Sequence, residues 1–210
     1  MIWEKDSFLF TYTNSGGRPD VIKVEINYSL RAHVFEPIKK DIDLDFMPES
    51  VAIVMVDPIE IYAAKINALL SRAASRDLYD VNAMVKSGIV SDEKRDLFRK
   101  CIAFYACISA EEINKEFNTA AIDSLTIAKI KKELFPVLGK QGHYDLDAEK
   151  AIAKDYINDL MILNESETEF VELFDKGIYN PEMLFEDKKI IDRIKEHPMA
   201  IWKCGNKNKE

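Results

Sequence analysis

The chain has 210 residues, of which 47% are hydrophobic and 31% charged, the composition of a globular protein. Its net charge of −8 argues against bulk attraction to nucleic acid, which needs surplus Lys and Arg, although a local basic cleft stays compatible with it. Seven Gly and seven Pro are too few for a linker-dominated chain. No stretch approaches the ~18 apolar residues that span a bilayer, and Met1 to Asp6 contain no apolar signal core. Cys101, Cys107 and Cys204 form an odd, sparse set, which points to reduced thiols and a cytoplasmic location.

In chain order, the first elements are strands. Ser7 to Thr13 is aromatic and β-prone. Asn14-Ser-Gly-Gly-Arg-Pro-Asp20 is a turn by composition. Ile22, Val24, Ile26, Tyr28, Leu30, Ala32 and Val34 alternate with Lys23, Glu25, Asn27, Ser29, Arg31 and His33. That period of two predicts a strand with one buried and one polar face, making a hairpin with the first. A further strand is expected over 51–56.

At Asp57 the pattern turns helical. Asp57-Pro58-Ile59-Glu60 supplies an N-cap, a first-turn proline and a glutamate placed to reach back to the cap. This helix is expected to run to about Ala73, and a second from about Leu78 to Lys86, stopped by Gly88. Helices fill the remainder. Ser91, Ser109 and Ser166 read as N-caps, with capping-box spacing at Ser109/Glu112 and Ser166/Glu169. Asn180-Pro181-Glu182 reads as another helix start, and Gly139 to Tyr144 as a loop. Strands followed by helices indicate an α+β fold. We place a boundary near Gly88–Ser91, giving a sheet-bearing unit over 1–88 and a helical unit over 89–210.

Three groups of residues could carry chemistry. Lys23, Glu25 and Asn27 share the polar face of a strand. They are either a solvated face or a site in which Glu25 is a carboxylate ligand for a hard cation. Lys65 and Arg72 lie two turns apart on one face of a helix that is apolar on most sides. Cations there need anionic partners: Asp77, Asp80 or Glu60 within the protein, or the phosphates of a ligand that Arg76 would also face. Asp41, Asp43 and Asp45 alternate as a two-metal site would require, but an acidic loop or edge strand explains them as well. The three histidines fit no zinc spacing, and no phosphate-binding glycine loop or serine nucleophile elbow is present.

Lys23-Val-Glu25-Ile-Asn27 followed by Arg31-Ala-His33-Val, the long motif from Asp57 through Lys65, Arg72, Arg76 and Asp77 to Asp80, and His197-Pro-Met-Ala-Ile-Trp202-Lys203 together resemble the AbiEii toxins of abortive-infection, type IV toxin–antitoxin systems. The resemblance covers about residues 7–204. It implies a polymerase-beta-like nucleotidyltransferase of bacterial phage defence. Such an enzyme moves a nucleotide from an NTP, with Mg²⁺, to an acceptor that for some relatives is tRNA. It implies that Glu25 is a metal-binding carboxylate and that Lys65 contacts the triphosphate. Lys23, Arg72 and Arg76 would join Lys65 and Asp77 in binding nucleotide, with Asp77 or Asp80 organising the site. A cognate antitoxin is the implied partner. The family's Gly-Ser…Asp-x-Asp motif does not precede Glu25, so the resemblance is to an N-terminally truncated form, with a partial nucleotidyltransferase sheet over 1–88. An incomplete sheet is expected to seek a second copy or a sheet-completing partner. The alternative is a non-catalytic remnant that binds or oligomerises.

Overall fold

The computed structural model describes residues 5–27, 32–43, 49–109, 112–138 and 144–207. Two antiparallel hairpins come first. β1 (Lys5–Thr13) pairs with β2 (Pro19–Asn27), and β3 (Ile38–Ile42) with β4 (Val51–Met55). Helices follow: α1 (Pro58–Arg72), α2 (Ser75–Ser87), α3 (Arg95–Ser109), α4 (Ile127–Glu133), α5 (Phe135–Leu138), α6 (Leu146–Leu160), α7 (Glu165–Asp175), α8 (Lys188–Ile194) and α9 (Pro198–Lys207). The fold is α+β, as the order of patterns predicts.

The β1–β2 turn is built by Asn14, whose Oδ1 accepts from the backbone N–H of Gly16 at 3.0 Å and of Arg18 at 3.1 Å. Gly17 takes φ 72°, a conformation that suits glycine. Register pairs Phe8 with Val24 and Phe10 with Ile22, so Phe8, Phe10, Tyr12, Ile22, Val24 and Ile26 share one face. The alternation therefore holds, but the expected burial does not. These six side chains are 40–57% exposed, because neither hairpin packs extensively on a helix among the described residues. The strand also ends at Asn27. Ala32 and Val34 lie beyond it in non-strand backbone, while Tyr28 to Arg31 lie outside the described residues. Of the alternating aspartates, Asp41 sits on β3, Asp43 lies just past its end, and Asp45 is outside the described residues.

The core sits in the helices. Helix α3 is its axis: Phe98 and every residue from Cys101 to Ile108 are buried. A helix apolar all round must be surrounded, and α1, α7 and α9 pack against it. One hydrophobic cluster joins Ile66 and Leu69 of α1, Leu78 and Val81 of α2, Phe104 of α3, Ile157 of α6 and Phe174 of α7. It runs across the boundary expected near residue 88, where Gly88 (φ 61°) closes α2. The cysteines are core residues; burial pushes the Cys107 thiol up to about 12, which leaves it inert near neutral pH.

Several caps differ from expectation. Ser109 is the last residue of α3 rather than the cap of a further helix. Helix α7 is capped by Asn164 rather than Ser166: Asn164 Oδ1 accepts from Glu167 N at 2.9 Å, and Glu167 accepts from Asn164 N at 3.1 Å. Glu167 also takes a two-pronged bond from Arg99 of α3, at 2.8 and 2.9 Å, so one buried carboxylate caps α7 and ties it to the core helix. Asn180 caps the turn at Pro181–Met183 as the sequence suggests.

Candidate functional site

The α1–α2 pair is set by its ends. Asp57 caps α1 by accepting from Ile59 N at 2.8 Å, with Pro58 at the first position. Helix α1 ends when Ala73 enters the left-handed region at φ 44°. Only Ala73 and Ala74 separate it from α2, so the two helices pack back along each other. Helix α4 holds this turn. Lys129 Nζ donates to the Ala73 carbonyl at 3.1 Å, and Ser75 Oγ donates to Glu133 at 2.9 Å.

The motif residues meet across this pair. Arg72 Nε and Nη2 each donate to Asp77 at 2.8 Å, a flat two-pronged bridge. Asp77 is 1% exposed, whereas the Arg72 side chain keeps 65% of its surface in solvent. The buried acid thus fixes an exposed guanidinium in one orientation. Its hydrogen bonds, and then its charge, raise the Arg72 pKa further, so Arg72 is cationic at every working pH. Lys65 Nζ pairs with Asp80 at 2.8 Å, both half-exposed. Arg76 is exposed on α2. On the hairpin, Lys23 pairs with Glu25 at 3.0 Å. The site residues therefore fall into two groups, one on β2 and one on α1–α2, on elements that do not pack extensively on each other.

Beside the helix group lies a cavity of about 630 Å³ between α1 and α3. Ala64, Asn67, Ala68, Ser71 and Arg72 line it from α1, and Phe117 from the loop after α3. Among the described residues, no group of three or more His, Cys, Asp or Glu side chains is placed to hold a metal ion. Glu25 alone, already paired with Lys23, is at most one ligand of such a site.

Glu60 has a role that the motif did not disclose. It does not reach back to the helix start. It is 2% exposed and accepts from the N–H groups of Val34, at 2.7 Å, and Phe35, at 3.2 Å, and from the Tyr105 hydroxyl. His33 Nδ1 lies 3.6 Å away. Two further bonds clamp the same segment: His197 Nε2 lies 3.2 Å from the Ala32 carbonyl, and Arg193 pairs with Glu36 at 2.7 Å. Residues 32–36, between the two hairpins, are thus riveted to α1, α8 and the His197 turn before α9, and Tyr105 of α3 bonds the same Glu60 carboxylate. The available signal was phase: Glu60 falls on the same stripe of α1 as Ala63, Ile66 and Leu70, so it points inward.

This geometry defines a helix pair that presents oriented cations next to a cavity, an arrangement suited to an anionic ligand. A family model described as the nucleotidyl transferase AbiEii toxin of type IV toxin–antitoxin systems matches residues 3–157. The chain belongs to this family. No curated protein and no solved structure matches it. No helix among the described residues is long and apolar enough to cross a membrane.

Proposed function

We propose that the chain performs an AbiEii-type nucleotidyl transfer, with the α1–α2 pair receiving the triphosphate of an NTP. The observation that carries this reading is the Arg72–Asp77 bridge. A buried acid spends both its oxygens on holding a guanidinium that remains open to solvent, which suits a pre-oriented anion receptor. Lys65 stands on the same face of α1, and Asp80 keeps it extended until phosphate displaces the carboxylate. Arg76 and Lys23 add positive charge from α2 and β2.

In the reaction the acceptor hydroxyl oxygen bonds to the α-phosphorus and gives up its proton to solvent, the α–β anhydride bond breaks, and pyrophosphate leaves with the bonding electrons. Lys65 and Arg72 offset the charge that develops on the leaving oxygens. Mg²⁺ would be held by the substrate phosphates and one or two carboxylates, of which Glu25 is the one the family resemblance assigns, and would offset phosphate charge there. The acceptor in this reading is tRNA, recognised locally despite the net negative charge, and the setting is phage defence in a bacterial cytoplasm. A cognate antitoxin is the regulatory partner. The exposed apolar face of β1–β2 supports a second copy or a sheet-completing chain as a further one. The 1–88 unit would then carry the proposed phosphate-binding residues, and the 89–210 unit would share its core and supply a wall of the adjoining cavity.

Titration of the folded chain with Mg²⁺ and each NTP tests the reading. Lys65→Ala is expected to weaken NTP binding at least tenfold at unchanged melting temperature. Equal affinity in that variant would remove Lys65 from the phosphate site. A second reading, a non-catalytic module that assembles through its hairpins, draws on the same uncovered apolar face and is expected to give stable oligomers that bind no nucleotide.

A further inference from the structure

The Lys65 and Arg72 cations account for phosphates and leave the rest of a nucleotide without a seat. On an α-helix successive residues turn by about 100°, so Ala64, Ala68 and Ser71 lie on the strip of α1 beside the one that carries Lys65 and Arg72. That strip faces the cavity between α1 and α3, and Arg72 belongs to both. We infer that this cavity seats the nucleobase and ribose of the NTP whose phosphates Lys65 and Arg72 meet, an inference that rests on the function proposed above.

The cavity suits a flat heteroaromatic ring. At about 630 Å³ it lies within the range of sites that enclose small ligands. Its walls are short or apolar: Ala64, Ala68 and Leu70 from α1, Ala106 from α3, and Phe117. Small side chains on facing helices leave a slot, which a planar base fills without displacing anything. Polar groups stand among these walls. Asn67 Nδ2 donates to the Ile102 carbonyl at 3.0 Å and Ser71 Oγ to the Ala68 carbonyl at 3.3 Å, so these side chains meet a base with their oxygens and the second amide N–H, and Glu112 adds acceptor oxygens suited to a base's amino group.

The Phe117 wall is deliberately held. Its φ of 50° is unfavourable for a bulky residue, yet it is only 3% exposed. Asn114 and Asn118 keep it there: Asn114 Oδ1 accepts from Asn118 N at 2.9 Å, Asn114 Nδ2 donates to the Asn118 carbonyl at 3.0 Å, and Phe117 N donates to the Asn114 carbonyl at 3.1 Å. A loop that accepts this cost to aim an aromatic side chain into a cavity wall is a preorganised wall.

Filling the slot separates base recognition from phosphate recognition. The full chain is titrated with MgATP, MgCTP and inorganic triphosphate, in the wild type, Ala68→Trp, Ser71→Trp and Lys65→Ala. Ser71 is exposed, so its variant folds even where Ala68→Trp does not; circular dichroism and melting temperature verify each. The expected result is at least a tenfold loss of nucleotide affinity in the tryptophan variants, with triphosphate affinity unchanged, and loss of both ligands in Lys65→Ala. Nucleotide binding unaffected by a folded tryptophan variant would overturn the base site and leave the phosphate site standing. A wild type that binds neither nucleotide nor triphosphate would overturn both.

Discussion

Asp77 is almost completely buried, and its partner Arg72 stands largely in solvent. An ion pair of this kind contributes little to stability, because the exposed partner is well solvated without it. Asp77→Asn is therefore expected to cost only about 1 kcal/mol in a urea melt while weakening NTP binding severalfold, since Arg72 loses its orientation. A large stability loss with intact nucleotide affinity would make Asp77 a structural residue instead. Glu60 is the opposite case. Removing its carboxylate strands the N–H groups of Val34 and Phe35 and the Tyr105 hydroxyl inside the protein. Glu60→Ala is expected to cost about 3–5 kcal/mol, measured by chemical denaturation; a cost under about 1 kcal/mol would show the clamp to be dispensable. His197 adds a pH dependence. Burial, with the neighbouring charge of His33, lowers its pKa below the usual 6.5. The unfolded chain then binds more protons between the two values, so stability rises with pH there. The contribution is complete above pH 6.5 and is lost as pH falls toward the folded value. Urea melts at successive pH values are expected to show this acid-side loss, and His197→Gln to flatten it.

The start of α1 and the end of α2 follow from local pattern in this chain, although α2 begins at Ser75, three residues before the expected Leu78. Asp57-Pro58 starts α1 where the capping signals put it, and Gly88 ends α2. Helix α3 is buried without a break from Cys101 to Ile108, where its side chains are all apolar or aromatic. What the pattern could not supply was tertiary pairing. Lys65 and Arg72 clearly needed anions, but the choice among Asp77, Asp80, Glu60 and a ligand depended on how tightly α1 turns into α2. The two-residue connection at Ala73–Ala74 decides it, and its left-handed alanine has no strong sequence signal. Asn164 rather than Ser166 caps α7 because Glu167, three residues on, is the acid that both completes the cap and reaches Arg99. The strand face misled for a different reason. Period-two alternation reports which side chains share a face, and burial depends on whether another layer covers it. On β1–β2 nothing among the described helices packs extensively over Phe8, Phe10 and Tyr12.

An uncovered sheet on a well-packed helical body has consequences for the assembly as a whole. Two-stranded hairpins are marginal alone, and a row of half-exposed aromatic and branched side chains favours association. Light scattering is expected to show oligomers or antitoxin-bound complexes, and Phe10→Lys to shift them toward the monomer while the helical melting transition stays put. A monomer of unchanged stability in the unmodified chain would remove this face from any interface. The helical body, by contrast, fixes Arg72 through the buried Asp77 carboxylate, and in the proposed reading it binds nucleotide without the hairpins. The incubation of the purified chain with Mg²⁺, each α-labelled NTP and total tRNA joins these parts in one measurement. Label is expected on tRNA with the unmodified chain and on none with Lys65→Ala or Glu25→Ala. Transfer that persists in both variants, or no transfer from a folded chain that binds NTP, would contradict the assignment of nucleotidyl transfer to these residues.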